Sequence, residues 1–169
     1  MKTDISEKYE NLSGDELDRK VKEKVLELYA NYIFDASVSE IFTAILNGHT
    51  LHIANSSIRH NLDLLSAYIQ KNNVQVATIP PSLLLPEVVL GLETLIVAGE
   101  KTPFDVLNTY VDKAHLINAY GPSETAVCAT LKHYKKNDSN LNIGRPLPNK
   151  SLYLLDNNLI PVPVGVVGE

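Results

Sequence analysis

Residues 118–124 read Asn-Ala-Tyr-Gly-Pro-Ser-Glu and follow directly on a short apolar run, Ala114–Ile117. Between Tyr120 and Glu124 stand an aromatic ring, a tight turn, a hydroxyl and a carboxylate. A nucleotide site needs that set. The ring offers a face to a base, the turn and the Ser123 hydroxyl offer donors to a phosphate, and a carboxylate is the hard oxygen ligand that magnesium prefers. Taken singly, Tyr120 reads as a core residue and Glu124 as an exposed acid. Their packing into one Gly121-Pro122 turn favours the site.

A second carboxylate stands out. Asp35 lies among Ile33, Phe34, Ala36 and Val38, an apolar setting in which an unpaired charge is costly. It reads either as a helix cap beside Ser37 or as the counter-ion of a ligand's ammonium group. Other reactive residues say less. His49 and His52 are three apart in an expected strand and face opposite sides, so they form no metal cage. Cys128 has no histidine near it in sequence and reads as a small apolar wall residue. The chain has no Gly-rich loop ending in Lys-Ser or Lys-Thr and no Gly-x-Ser-x-Gly elbow.

The elements that must position these groups follow from periodicity. Val38, Ile41, Phe42, Ile45 and Leu46 make one apolar stripe, which predicts a helix over 38–47. Ser37-x-x-Glu40 is a capping box at its start and Gly48 a stop at its end. Strands are expected at Thr50–Ala54, Val74–Ile79, Thr94–Ala98 and Ala114–Asn118. A helix is expected over Arg59–Asn72. Another starts with Thr102 as cap and Pro103 at its first position. Strand and helix alternate, which predicts an α/β fold with a parallel sheet flanked by helices. Asp35, Pro80, Gly99-Glu100 and Tyr120–Glu124 all fall just after strands, where open parallel sheets bind ligands. Beyond Glu124 the texture changes. Val127–His133 and Ser151–Leu155 read as antiparallel strands opening a small β subdomain. At the other end Ser13-x-x-Glu16 predicts a helix to about Lys24, followed by a strand.

Composition bounds the partners. The 169 residues carry a net charge of −5 and are 44% hydrophobic, enough for a core. No basic face emerges, since Lys132–Lys136 is a short solvated run, so nucleic acid is excluded as partner. No apolar stretch is long enough for a membrane span, and the first residues hold no signal core. One cysteine forms no internal disulfide. These features lead to an expectation of a cytoplasmic protein.

Four stretches together resemble the adenylation domains of nonribosomal peptide synthetases, within the adenylate-forming AMP-dependent synthetase/ligase superfamily. They are Phe34-Asp-Ala-Ser-Val-Ser-Glu-Ile-Phe, Thr94-Leu-Ile-Val-Ala-Gly-Glu, the Asn118–Glu124 turn, and Asn142-Ile-Gly-Arg-Pro through Pro161-Val-Pro-Val-Gly-Val-Val-Gly-Glu. The match runs from about Val25 to Glu169 in order and spacing. The resemblance implies a flavodoxin-like substrate- and adenine-binding subdomain over 25–133, the start of a β subdomain over 134–169, and an atypical segment over 1–24. It implies amino acid plus ATP giving aminoacyl-AMP and pyrophosphate. Asp35 would pair with the substrate's ammonium group. Tyr120 would stack on adenine, with Gly99, Glu100, Asn118 and Gly121 around the base. Ser123 would meet the α-phosphate, and Glu124 would hold magnesium. The lining of the side-chain pocket would be Asp35, Ala36, Ser39, Thr78, Ile96, Ala98, Ala119, Val127 and Cys128. Small and apolar walls suit an aromatic amino acid. Ser39, where phenylalanine pockets often carry tryptophan, adds room and a hydroxyl and suits tyrosine.

The resemblance also implies groups with no counterpart here: a Ser/Thr/Gly-rich phosphate loop before Asp35, a ribose-binding aspartate and a catalytic lysine beyond Glu169. Such groups act as a unit, so this stretch by itself is expected not to adenylate at a useful rate. It is expected to expose apolar surface and self-associate. Possible partners are the rest of a split adenylation domain or a carrier protein. The alternatives are a non-catalytic piece that complements a partner chain, an acyl-CoA-ligase-like protein, and an unrelated flavodoxin-like nucleotide binder. Asp35 argues against the ligase, and the Tyr120–Glu124 turn with Asn142–Pro146 argues against the last.

Overall fold

The computed structural model describes residues 25–28, 30 and 34–169. The expected helix over the first twenty-four residues lies outside them. The strand expected to follow it is present as β1 (Val25–Leu28). Four more strands run parallel to it: β2 (Thr50–Ile53), β3 (Val76–Thr78), β4 (Thr94–Ala98) and β5 (His115–Tyr120). Their order in the sheet is β2-β1-β3-β4-β5, the flavodoxin-like arrangement. Alternation explains the core: Leu95 and Val97 of β4 are buried while Thr94, Ile96 and Ala98 are half-buried. Leu65 and Ile69 of α3 (Leu62–Asn72) and Leu107 of α4 (Phe104–Tyr110) close over that face.

The first helix, α1, spans Asp35–Leu46, three residues earlier than its periodicity suggests. The capping box does not form. Phe34 occupies the cap position, the Ser37 hydroxyl donates to the Phe34 carbonyl, and Glu40 Oε2 accepts from the Ala30 N–H at 2.9 Å. That choice turns the helix round. Ser37, Glu40 and Ala44 are buried, whereas Val38, Phe42, Ile45 and Leu46 are half or more exposed. Periodicity identified an apolar face but not which face the sheet would take. The end of α1 is as expected. His49 N–H bonds to the Ala44 carbonyl and Gly48, at φ +67, bonds to Ile45, a Schellman motif.

Three other boundaries move. The Arg59–Asn72 helix is two pieces, α2 (Ser56–Arg59) and α3, each capped by an asparagine side chain. Pro103 rather than Thr102 caps α4, and the Thr102 hydroxyl is buried without a hydrogen bond. The Ser151–Leu155 strand is absent. That segment makes one antiparallel bridge, Leu155 to Pro161. β6 (Thr130–His133) and β7 (Arg145–Pro146) are antiparallel as expected. They extend the same sheet beside β5 instead of opening a new one. No helix among the described residues is long and apolar enough to cross a membrane.

Candidate functional site

Because β1 to β5 are parallel, their carboxyl ends open on one edge, and three concavities lie along it. The first, about 470 Å³, is lined by Asp35, Ala36, Thr78, Ala98 and Gly99. The second, about 330 Å³, is lined by Gly99, Glu100, Asn118, Ala119, Tyr120 and Gly121. The third, about 560 Å³, is a cleft between α1 and the turn after β5, with Asp35, Ser39, Ser123 and Val127 in its wall. All are within the usual range for small-molecule sites. Gly99 is shared by the first and second, and Asp35 by the first and third.

Asp35 is half-buried in the first turn of α1, where the helix N-terminus favours its negative charge. Ser39 lies one helical turn on and is exposed. Ile96 and Cys128 are half-buried and line none of the three concavities. Burial pushes the Cys128 thiol up. The nearby Asp35 carboxylate adds to that and the Lys150 ammonium opposes it. A thiol held protonated is a poor nucleophile. Glu100 is engaged, since Ser82 hydrogen-bonds its carboxylate through side chain and backbone and holds it below the usual range.

Tyr120 ends β5 with 51% of its surface exposed beside the second cavity. Gly121 follows because nothing larger fits. A Cβ there would sit 2.5 Å from the Ala129 nitrogen. Ser123 and Glu124 are exposed on a 3-10 turn, Ser123–Thr125. The chain then passes through two left-handed residues, Ala126 at φ +54 and Val127 at φ +70. Cys128 N–H closes on the Ala126 carbonyl at 2.8 Å, a γ-turn with a β-branched residue at its centre. Such conformations cost about 1–3 kcal/mol each and persist where surroundings hold them, commonly at functional sites.

Sequence reasoning missed part of the lining. Ser56, Arg59 and His60, from α2 and its C-cap, line the first cavity with Glu40. The rule that located the other turns, a loop just after a parallel strand, would have found them after β2. Asn140, Leu141 and Ile143 line the second cavity, and Asn140 Nδ2 donates to the Thr102 carbonyl. Ile143 falls in the Asn142–Pro146 stretch already singled out, whereas no local signal marks Asn140 and Leu141, which come from the same loop beyond β6.

No group of three or more metal-ligating side chains occurs among the described residues. Glu124 alone still fits magnesium, which keeps most of its waters and binds through one or two carboxylates plus phosphate oxygens. The second cavity fits a nucleotide base: it has an aromatic ring at its mouth, an apolar wall of Ala119 and Ile143, and Asn118 and Asn140 for polar edges.

A parallel sheet of this order, with an open edge carrying an aromatic-Gly-Pro-Ser-Glu turn, is the frame of a nucleotide-binding protein. The chain belongs to the AMP-binding enzyme family, whose pattern matches residues 5–169. It is 35% identical over 148 residues to tyrocidine synthase 1 of Brevibacillus parabrevis, covering 84% of this chain and 14% of that protein. It is 37% identical over 146 residues to gramicidin S synthase 1 of Brevibacillus brevis, covering 83% of this chain and 13% of that one. The N-terminal subdomain of Klebsiella oxytoca NpsA in complex with 3-hydroxybenzoyl-AMSN has the same fold. Its TM-score is 0.74 at 26% identity, covering 88% of this chain and 41% of that one. The chain thus spans a small part of the synthases and under half of the subdomain.

Proposed function

We propose that this chain is the substrate- and base-binding part of an amino-acid adenylation domain, and that its amino acid is aromatic, with tyrosine favoured. The observation that carries this is Asp35, a half-buried carboxylate shared by two concavities at the carboxyl edge of the sheet. A ligand ammonium is the cation such a carboxylate suits. In this reading the substrate side chain lies against Ala36, Thr78, Ala98 and Ser39. The base lies against Tyr120 between Gly99-Glu100 and Asn118–Gly121. The Ser123 hydroxyl holds a phosphate oxygen. Glu124 would hold magnesium, which would supply neutralisation of phosphate charge. The contribution of these residues is positioning and electrostatic complementarity. Domain limits of 25–133 and 134–169, with β7 returning from the second part to pair with β6, a carrier-protein partner and lack of turnover by the isolated chain belong to the same reading.

A second reading has one observation in its favour. The NpsA subdomain carries a 3-hydroxybenzoyl ligand, an aromatic acyl group without an ammonium. Calorimetry on the full chain separates the two. A non-hydrolysable tyrosyl-adenylate analogue should bind, and Asp35→Ala should weaken it by tenfold or more. A 3-hydroxybenzoyl analogue should bind more weakly and ignore Asp35→Ala. The opposite ranking would overturn the amino-acid reading in favour of an aryl acid. Binding of neither by a folded chain would overturn both.

A further inference from the structure

The turn that carries Ser123 and Glu124 runs straight into the strained pair Ala126–Val127. Its internal bonds, Thr125 to the Pro122 carbonyl and Ala126 N–H to the Ser123 carbonyl, are local. They do not by themselves exclude a relaxed alternative. Two further bonds come from far along the chain. Leu147 N–H donates to the Ala129 carbonyl at 2.9 Å, and Lys150 Nζ donates to the Thr125 carbonyl. Both donors belong to one short turn, in which Lys150 N–H closes on the Leu147 carbonyl at 3.1 Å and Asn149 is left-handed at φ +64. Pro148 second and a left-handed asparagine third is the pattern of a type II turn, a rigid unit. It therefore grips the strained segment at both ends, Thr125 and Ala129.

We propose that Lys150 is a positioning residue that clamps the Ser123–Cys128 turn in its strained form and so sets the pose of Ser123 and Glu124 toward a phosphate-bearing ligand. The ligand half rests on the function proposed above, whereas the clamp does not. Lys150 is half-buried, and its charge reaches Cys128 at the end of the turn. An ammonium has three donors and the Thr125 carbonyl uses one. The cation therefore stands beside the phosphate turn. The Lys150 side chain adds to a grip that a backbone bond alone provides at Ala129.

The test uses the full chain as wild type, Lys150→Met and Lys150→Arg. Amide hydrogen exchange is followed at Ala126, Cys128 and Ala129, with Val97 and Leu116 in the sheet interior as reference. Lys150→Met should speed exchange at the first three about tenfold and leave the reference amides unchanged, and Lys150→Arg should restore most of the protection. Calorimetry with magnesium should show AMP affinity falling about tenfold in Lys150→Met while adenosine, which lacks the phosphate, is unaffected. Unchanged exchange at Ala126–Ala129, or an equal rise at every amide, would overturn the clamp. Equal losses for AMP and adenosine would overturn its link to the phosphate. If wild type binds neither nucleotide while the exchange pattern holds, the functional reading fails and the clamp stands.

Discussion

A methyl group at position 121 has no space. An alanine Cβ there would lie 2.5 Å from the Ala129 nitrogen and 2.9 Å from both Cα and carbonyl carbon of Cys128. These are backbone atoms, and Ala129 is fixed by its N–H bond to the Tyr120 carbonyl at 2.7 Å. Gly121→Ala must therefore push the start of β6 away from the end of β5. Overpacking of this kind costs about 1–3 kcal/mol, and losing the Tyr120–Ala129 bond adds about 1 kcal/mol. A total of roughly 2–4 kcal/mol lowers the melting temperature by about 5–15 °C in a chain of this size. Gly99→Ala is the control. Its Cβ would meet nothing within 4 Å, but φ is +86. The conformational cost of about 1–2 kcal/mol is partly offset by a less flexible unfolded chain. Urea unfolding of both variants decides the matter. If Gly121→Ala loses no more stability than Gly99→Ala, the close approach of the two strands is not what requires glycine, and the reasoning fails.

Two further outcomes follow from charge and burial. Iodoacetamide should alkylate Cys128 at neutral pH at least tenfold more slowly than free cysteine, because burial raises the thiol. Asp35→Asn should quicken the reaction, and a rate equal to that of wild type would refute the electrostatic contact. Glu100 is held below its ordinary value of 4.5 by Ser82. A carboxylate depressed on folding contributes stability above its unfolded value and loses it as pH falls through the folded one. Glu100→Gln should therefore lower the melting temperature slightly near neutrality and match wild type in acid. A difference that persists or grows in acid would contradict this.

The sequence by itself determined the local things. Strand and helix alternate in a way that requires a parallel sheet, and β4 has the limits its apolar run predicts, because a buried strand must be apolar throughout. Placing Asp35, Gly99 and Tyr120 at one edge followed from the same logic: Gly99 comes just after β4, Tyr120 ends β5, and Asp35 opens the helix that follows β1. Gly48 ended α1 through a motif contained within a few residues. Tertiary structure decided what depends on distant partners. Which face of α1 turns inward was settled by the Glu40 bond to Ala30, against the apolar stripe. Whether β6 began a new subdomain or lengthened the old sheet was settled by pairing with β5. The Asn140 bond to Thr102 beside the second cavity, and the grip of Lys150 on Thr125, join residues 38 and 25 positions apart. Periodicity and capping report on neighbours along the chain. Hydrogen bonds across that distance exist only once the sheet has brought their ends together.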